Sequence, residues 1–251
     1  MVTLPVSGAV VAFRNPDGVD DMLLHEATDT PVEVGAAMLA RLCGAPLDPK
    51  ALVVTDFEYL LLQLRARRLG QAMTLAFACP HCRALSEVSF AIADYVADCA
   101  PRAAPGVTPD PVRPGWFRLD EASFRLPTAG DQIEIADYAR PTVRLAELCL
   151  DETARRRSHR ARVERAMERL APPLSRDIAG RCAACGVRVR AEVAVTPLVV
   201  SELKRAAGAV HDEVDLIARA YHWPESQILA LPQPRRRAYA ERIRRAQSQA
   251  A

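Results

Sequence analysis

Two stretches decide the fold of this chain: Cys79-Pro80-His81-Cys82 and Cys182-Ala183-Ala184-Cys185. In each, two cysteines separated by two residues can direct both sulfurs of one tight turn at the same metal ion. Strand-like residues flank both motifs: Leu75-Ala76-Phe77 precedes the first, and residues 187–193 alternate apolar and polar side chains after the second. Strand, motif and strand, twice over, is typical of a zinc ribbon. We therefore predict one structural Zn²⁺ held tetrahedrally by four thiolates, those of Cys79, Cys82, Cys182 and Cys185.

The two motifs are separated by a long insertion of roughly a hundred residues. Closing such a loop costs about 4 kcal/mol for an ideal chain. Structural zinc yields roughly 10–16 kcal/mol of apparent binding free energy in small peptides. Metal binding therefore outweighs loop closure. The alternatives are two unrelated cysteine pairs, or a site that has lost its metal while the fold remains.

The first motif has a rival interpretation, because Cys-Pro-His-Cys is also the active-site motif of thioredoxin-like disulfide oxidases. In those enzymes the first cysteine caps a helix whose dipole lowers the thiol pKa. Here residues 83–90 have a strand pattern, and no aromatic residue stands immediately before Cys79. The second motif also has no use in that chemistry. The sequence favours the structural metal site.

The composition sets broad limits on fold and location. With 251 residues, half of them apolar, the chain can bury a core in one or two domains. A formal net charge of +2 gives no strong field toward nucleic acid. Seven cysteines, an odd number, argue against a secreted disulfide framework, and Cys43 and Cys149 fit buried inert thiols. Residues 1–5 lack signal-peptide features and no apolar run is long enough to span a membrane, so we expect a soluble protein made in a reducing cytosol.

Periodicity and capping residues predict the elements before the first motif. A β-hairpin is expected over residues 6–24, with Met22-Leu23-Leu24 as its second strand. A helix is expected over 32–43, and another helix is capped by Thr55 and ends at Gly70.

Between the motifs, the proline-rich residues 100–115 predict a linker or an ordered loop. The elements predicted after it are a small hairpin over 116–126 and helices near 131–138, 141–150 and 158–170. The arginine run at 155–160 is interpreted as a solvated face, with phosphate binding as the alternative.

After the second motif, one long helix is predicted from Pro197 to 221–223, followed by a short helix over 225–231 and a basic helix over 235–247. The predicted fold class is α+β: a split four-cysteine zinc ribbon with a long insertion, flanked by helical segments and an N-terminal β-hairpin. The predicted parts are 1–70 (hairpin and helices), 71–99 with 178–197 (the split ribbon), 100–177 (the inserted α/β segment) and 198–251 (the helical tail).

Nothing in the sequence points to catalysis. Ser–His–Asp and Cys–His arrangements lack recognisable local context, and no glycine-rich loop could cradle a phosphate. The histidines show no ligand spacing, and His81 is expected to be exposed. The paired acids Asp20-Asp21 and Asp212-Glu213 are interpreted as solvated. We therefore predict a protein that is not an enzyme and has no small-molecule substrate.

Three segments together resemble a known family. Residues 56–70, followed by Cys-Pro-His-Cys, resemble the T-even phage baseplate proteins known as baseplate hub assembly chaperones. Residues 124–131, and the tail 213–231 followed by 235–239, resemble related proteins of contractile injection system and tailed-phage gene clusters. The resemblance covers most of residues 50–245.

This resemblance implies a non-enzymatic structural component or assembly chaperone of a contractile phage-tail-like baseplate, near the hub. Its partners would be hub, spike or tail-tube proteins. It would be found in the cytoplasm of the producing bacterium, or in the assembled tail or injection particle. The alternative is a zinc-ribbon nucleic-acid-binding protein, which should interleave aromatic and basic residues on the ribbon strands. The ribbon offers Arg188 and Arg190 but only Phe77 and Phe90 as aromatics, so nucleic acid is the less favoured partner.

The C-terminal tail is predicted to dock a partner protein. It concentrates aromatic and aliphatic side chains of the kind enriched at interface hot spots, beside arginines that could form a polar rim. The predicted partner-binding residues are Tyr221, Trp223, Ile228, Leu231, Arg235, Arg236, Arg237 and Tyr239. The alternative is that Tyr221 and Trp223 close the protein's own helical bundle.

Overall fold

The computed structural model describes residues 1–44 and 47–250 and shows an α+β protein with short sheets. Its helices are α1 (Gly18–Glu26), α2 (Pro31–Leu42), α3 (Val54–Leu69), α4 (Ile92–Ala97), α5 (Ala129–Ile135), α6 (Pro141–Cys149), α7 (Glu152–Arg155), α8 (Arg157–Leu170), α9 (Val195–Ala207), α10 (Val210–Tyr221), α11 (Glu225–Leu229) and α12 (Gln233–Ala250), with a 3-10 turn at Pro49–Ala51. Its strands are β1 (Val2–Thr3), β2 (Val10–Val11), β3 (Ala72–Ala78), β4 (Leu85–Ala91), β5 (Val107–Pro109), β6 (Trp116–Leu119), β7 (Ala122–Arg125), β8 (Arg176–Arg181) and β9 (Arg188–Val193).

The main core is built around helices α3 and α9: α3 packs against α2, α4 and α9, and α9 also packs against α1. Leu60, Leu61 and Leu62 of α3 are all fully buried. Three successive residues of a helix point in three different directions, so their burial shows that most of the circumference of α3 is covered, while Tyr59 and Gln63 on the remaining face are half-buried. Met73 and Val193, at the bases of two hairpins, belong to the same core.

The structure has an N-terminal hairpin, but it begins before the predicted range of residues 6–24, and the predicted second strand is helical. β1 and β2 pair over two residues each, whereas residues 22–24 lie inside α1. Asp17 caps this helix, and the Asp20 carboxylate accepts a hydrogen bond from the Asp17 N–H at 2.9 Å. This capping box and the burial of Leu24 stabilise a helix, although the residues just before α1 had suggested a hairpin turn.

Helix α3 ends at Gly70 as predicted, but Thr55 does not cap it. The Thr55 hydroxyl instead donates to the Pro172 carbonyl at 3.0 Å. Beside it, the Asp56 carboxylate accepts the N–H groups of Val6 at 2.8 Å and Ser7 at 3.0 Å. The first turn of α3 therefore ties two distant segments to the core.

The inserted segment has a core of its own. The predicted hairpin and the three predicted helices are confirmed, as β6 and β7 and as α5, α6 and α8. Strand β5 was not predicted, because it lies in the proline-rich stretch 100–115, and it extends the hairpin to an antiparallel three-stranded sheet. Phe124, Val163 and Cys149 are buried between this sheet and the helices, and Cys149 is therefore the buried thiol that was expected.

The single long helix predicted after the second motif is in fact two helices, α9 and α10. α9 ends at Gly208, where a glycine lowers helix stability by about 1 kcal/mol relative to alanine. Val199 and Leu203 of α9 belong to the main core, so the predicted boundary at residue 198 falls inside a core helix. Helices α10, α11 and α12 form a separate apolar cluster around Ile217.

The prediction that the paired acids are solvated is wrong for three of the four. Asp20 and Asp21 are 0% exposed and Glu213 is 2% exposed, while Asp212 is exposed. Asp20 is held by a bidentate contact from Arg14, at 2.6 and 2.7 Å.

Asp21 forms a second buried ion-pair network. It accepts from Arg68 of α3 and from Arg236 of α12. Arg236 also donates from Nε to the Glu213 carboxylate at 3.1 Å and is itself 0% exposed. Arg236 was predicted at the rim of a docking surface, but its charge is used inside the protein, where it joins α1, α10 and α12.

Candidate metal centre and C-terminal surface

Each Cys-x-x-Cys motif lies in the turn of an antiparallel hairpin, β3–β4 for the first and β8–β9 for the second. In the first turn the Cys79 N–H donates to the Ala84 carbonyl at 2.9 Å. In the second turn the Cys182 N–H donates to the Val187 carbonyl at the same distance. The two turns repeat one hydrogen-bond pattern at equivalent positions, although their sequences differ.

The residue after each motif has a left-handed backbone, with φ of 61° at Arg83 and 72° at Gly186. Each donates its N–H at 2.9 Å to the carbonyl of the first cysteine of its motif, Cys79 or Cys182. Glycine adopts this conformation freely, whereas a residue with a side chain pays roughly 1–2 kcal/mol. The turn geometry is therefore kept in the first motif despite a local cost.

The four cysteine sulfurs of the two motifs lie close together. Their Sγ atoms all lie within 4.8 Å of one another. The distance between the sulfurs of Cys79 and Cys185 is 3.8 Å, and that between Cys82 and Cys182 is 3.7 Å. Four sulfurs placed tetrahedrally about 2.3 Å from a zinc ion would be about 3.8 Å apart, whereas a disulfide needs about 2.05 Å. The spacing therefore matches a tetrahedral metal centre rather than disulfides.

The backbone around the second motif favours a thiolate. The N–H groups of Cys185 and Ala184 point to the Cys182 sulfur and lower the pKa of that thiol to about 6. At Cys185, the Val187 N–H favours the thiolate, but the loss of part of its hydration and the three neighbouring cysteine side chains outweigh that effect and raise the pKa to about 12. Four thiols so close together cannot all ionise without a cation, and a divalent soft metal would provide it.

A buried hydroxyl was missed by the sequence analysis. Ser86 of β4 is buried, and its Oγ lies 3.8 Å from the Cys182 sulfur, where it favours the thiolate. Cys79 and Cys182 are themselves buried beside Val189, while the other two cysteines are exposed. The only sequence signal for this contact was a small polar residue on the predicted strand that follows the first motif.

The base of the first hairpin is fixed by Arg65 of α3. This guanidinium donates to the carbonyls of Gly70 and Ala72, at 2.5 and 2.7 Å, and to the Glu202 carboxylate of α9 at 2.8 Å. It therefore connects the start of β3 to the main core through two helices.

The first motif is not followed by the helix that a thioredoxin-like active site requires. The residues after Cys82 continue into strand β4, so Cys79 lies in a hairpin turn and not at a helix N-terminus. The His81 side chain is exposed, as expected for a residue inside such a turn.

The predicted partner-binding residues divide into two groups. Ile228 and Arg236 are fully buried within the chain, and Leu231 is half-buried. Arg235 and Arg237 are exposed on α12, as their prediction required.

Tyr221, Trp223 and Tyr239 form an aromatic cluster at the edge of the C-terminal helices. Their ring centroids lie 5.2 to 5.7 Å apart, with Tyr221 stacked on Trp223 and Tyr239 edge-on to both. Tyr221 is exposed, and the other two are half-buried against the Ile217 cluster. The cluster thus closes the protein's own bundle and still presents aromatic surface to solvent.

Comparison with known proteins now bears on this geometry. The family model described as "T4 bacteriophage base plate protein" matches residues 1–107. Over these residues the chain is similar to T4-type phage baseplate proteins. The match includes the N-terminal helices, the hairpin β3–β4 and the first cysteine motif, and it ends at the first residue of β5 in the inserted sheet. It therefore also covers the first fifty residues, where the resemblance was not recognised from the sequence.

No curated protein and no solved structure gives a significant match to this chain. Among the residues that the structure describes, none of the helices has both the length and the apolar character needed to cross a membrane.

Proposed function

We propose that this protein is a non-enzymatic structural component or assembly chaperone of a contractile phage-tail-like baseplate, near the hub, stabilised by one structural Zn²⁺. The observation that carries the proposal is the family match over residues 1–107. Its partners would be hub, spike or tail-tube proteins. Its place would be the cytoplasm of the producing bacterium during assembly, or the finished particle.

The zinc proposal rests on the chemistry and spacing of the donors. Four cysteine sulfurs at tetrahedral separation are the usual ligand set of structural zinc in a ribbon. Two ligands, Cys79 and Cys82, lie in the part of the chain that matches the baseplate family, and the other two, Cys182 and Cys185, lie outside it. Zinc would therefore fasten the second hairpin to the family-matched part of the molecule.

Elemental analysis of the protein purified without chelator tests this assignment. About one zinc per chain is expected for the wild type and close to none for Cys182→Ser. Cys149→Ala, which removes a buried thiol of the inserted segment, should keep full zinc content. A metal-free wild type with an intact fold would refute the zinc site.

The docking proposal rests on the exposed part of the C-terminal surface. Tyr221, with Trp223 and Tyr239 behind it, offers aromatic area, and the exposed Arg235, one helical turn before Tyr239, offers charge beside it. Arg237 is also exposed, but its guanidinium already pairs with Glu213 at 3.6 Å. Aromatic and arginine side chains dominate binding energy at many protein interfaces. A hub or tail-tube partner with an acidic rim around an apolar patch would complement this surface.

Co-purification with the hub and tail-tube proteins of the same gene cluster tests the docking surface. Tyr221→Ala should weaken capture of one of them, while Tyr138→Ala, an exposed tyrosine of the inserted segment, should not. Point substitution is preferable to deletion of residues 233–251, because that deletion also removes the buried Arg236. Equal capture by both variants would place the docking surface elsewhere.

The nucleic-acid alternative has weaker support. Arg188 and Arg190 are exposed along β9, but Phe77 and Phe90 are half-buried against the protein's own apolar clusters, where they could not stack on bases. A labelled single-stranded oligonucleotide, titrated with the zinc-loaded protein, separates the two functions. Salt-sensitive binding that Arg188→Gln and Arg190→Gln abolish would favour the alternative.

A further inference from the structure

The inner face of strand β4 carries a polar side chain at the end nearest the cysteine sulfurs. The inward positions of this strand are Ser86, Val88 and Phe90, and the residues between them are exposed. Ser86 is the most buried of the three, with 9% of its surface exposed. Burying a hydroxyl costs stability unless it forms a hydrogen bond, so its partner identifies its role.

The hydroxyl of Ser86 contacts a sulfur of the other hairpin. Its Oγ atom lies 3.8 Å from the Sγ atom of Cys182, and the two residues are 96 positions apart in the chain. Within the described part of the chain, no other side chain except the cysteines themselves lies within hydrogen-bond distance of the four sulfurs. This contact therefore links β4 of the first hairpin to the cysteine motif of the second.

The direction of this hydrogen bond follows from the state of the cysteine. Between a hydroxyl and a thiol, either atom could be the donor. A cysteine that binds a metal does so as a thiolate, which has no proton to donate. In the metal-loaded protein, the Ser86 O–H would therefore donate to the Cys182 sulfur and offset part of its negative charge.

The second hairpin has no hydroxyl at the equivalent position. Ser86 is the fourth residue after Cys82, and the fourth residue after Cys185 is Val189. Val189 is buried like Ser86 and packs in the small apolar cluster with Cys79 and Cys182. Because both turns have the same backbone hydrogen bonds, the turn itself does not require a hydroxyl. The hydroxyl is thus a feature of the sulfur cluster and not of the hairpin fold.

The arginines near the two motifs are weaker candidates for the same role. Arg83, Arg181 and Arg188 are exposed, and water reduces the effect of their charge on the sulfurs. The Arg181 guanidinium donates to the Gly186 carbonyl at 3.2 Å. A buried hydroxyl acts where the dielectric constant is low, so its hydrogen bond to a thiolate is stronger than it would be in water.

We propose that Ser86 is a positioning residue of the metal centre: its hydroxyl donates to the Cys182 thiolate, fixes the orientation of that sulfur and raises the affinity of the four cysteines for zinc. This role depends on the proposed zinc site and extends it to a residue that does not itself bind metal. Groups that hydrogen-bond to metal ligands orient them and tune the metal, and their removal typically weakens metal affinity roughly 10–100-fold.

Three substitutions of Ser86 separate the hydrogen bond from packing. Ser86→Thr keeps the hydroxyl, Ser86→Val has nearly the shape of threonine without it, and Ser86→Ala removes it and leaves space. Competition with a chromophoric chelator measures the zinc affinity of each full-length variant under reducing conditions. Ser86→Val and Ser86→Ala should bind zinc about tenfold more weakly than the wild type, and Ser86→Thr should bind as the wild type does.

A serine of the same strand provides the control. Ser89 is exposed, and its hydroxyl lies 2.8 Å from that of Thr74, away from the sulfurs. Ser89→Ala should leave zinc affinity unchanged.

Cobalt gives a second readout that packing alone would not change. Co²⁺ bound by four thiolates absorbs near-ultraviolet light through charge transfer from sulfur to metal. A hydrogen bond lowers the energy of the sulfur lone pairs, so its loss makes this transfer easier. Cobalt-loaded Ser86→Val and Ser86→Ala should therefore absorb at longer wavelength than the wild type and Ser86→Thr.

The outcomes distinguish this role from the zinc site itself. A wild type that binds neither zinc nor cobalt would refute both. If the wild type binds zinc and Ser86→Val matches Ser86→Thr in affinity and in cobalt spectrum, the zinc site stands and the role of Ser86 is refuted. Weak zinc binding by Ser86→Val together with normal binding by Ser86→Ala would show a packing effect and would equally overturn the proposal.

Discussion

At the scale of single residues, the buried charge of Arg236 connects parts of the chain that are far apart in sequence. It lies near the C-terminus, yet it bonds to Asp21, 215 residues earlier in the chain, and to Glu213 of α10. Burial raises the pKa of Glu213 against the opposing attraction of Arg236 and Arg237. Removing the guanidinium would therefore leave two carboxylates buried without adequate compensation.

Arg236→Met is expected to lower the free energy of unfolding by about 3–5 kcal/mol, because it breaks a buried ion-pair network on one side only. Arg235→Met, one residue away and exposed, should change it by less than about 0.5 kcal/mol. Urea unfolding of both variants at neutral pH measures the difference. Equal midpoints would show that the network adds nothing to stability.

Asp131 is a second residue with a testable effect, because its ionisation makes the stability of the protein depend on pH. Burial acts to raise its pKa, but the Arg125 guanidinium, at 2.6 and 2.8 Å, and the Thr128 N–H outweigh burial and lower the pKa below its ordinary value. Because the pKa is lower in the folded state than in the unfolded state, the ionised carboxylate stabilises the fold above the unfolded value. That contribution is lost as the pH falls through the folded pKa.

Asp131→Asn should therefore be less stable than the wild type at pH 7, and the gap should narrow as the pH falls below about 4. Asp137→Asn, an exposed aspartate of the same segment, serves as the control and should follow the wild type throughout. Urea midpoints measured across this pH range decide the matter. A gap that stays constant with pH would contradict the assigned role of Asp131.

At the scale of elements, the start of α1 is set by how closely it approaches the C-terminal helices. Gly18 is buried there, and a Cβ at this position would lie 2.7 Å from the Leu229 Cα and 2.8 Å from the Leu229 carbonyl oxygen. Backbone atoms cannot move aside as the end of a flexible side chain can. The glycine is needed for the contact between α1 and α11 and not for an unusual backbone angle.

Gly18→Ala should consequently lower the free energy of unfolding by about 1–3 kcal/mol through overpacking. Gly180→Ala in strand β8 is a matched control, since a Cβ there would meet nothing within 4 Å, and it should change stability by less than about 0.5 kcal/mol. Thermal unfolding compares the two variants. If both melt together with the wild type, the helices have room to separate.

At the scale of the whole molecule, the cysteine cluster is a small apolar cluster of its own. Cys79, Cys182 and Val189, with Phe77 against them, are separate from the main core, which includes only the hairpin bases. Little apolar surface therefore holds the two hairpin tips together, and a bound metal would have to supply most of their stability.

Removal of the proposed zinc by a chelator should loosen the hairpin tips and leave the main core intact. Amide hydrogen exchange should rise strongly over residues 76–88 and 179–190, while residues 57–64 of α3 stay protected. Mass spectrometry of exchanged, proteolysed protein measures both regions. Loss of protection throughout the chain would show instead that the metal holds the entire fold together.

The sequence by itself determined the features that depend on neighbours along the chain. The Cys-x-x-Cys turns, the helix ending at Gly70, and the hairpin β6–β7 with helices α5, α6 and α8 of the inserted segment follow from local chemistry and periodicity, and the structure shows all of them. The four sulfurs were also predictable as one site, because a tetrahedral thiolate set requires two such turns. The capping box of α1 is equally local, but the residues just before α1 are also typical of a hairpin turn, and the sequence analysis therefore predicted a strand where α1 lies.

Only the tertiary structure decided where charge could be buried. The sequence around the four buried charged residues, Asp21, Arg68, Arg236 and Glu213, is typical of solvated positions. A charged side chain can be buried without a large loss of stability only when a group of opposite charge from another segment contacts it. The partners come from four helices distant in sequence, so no local pattern announces them.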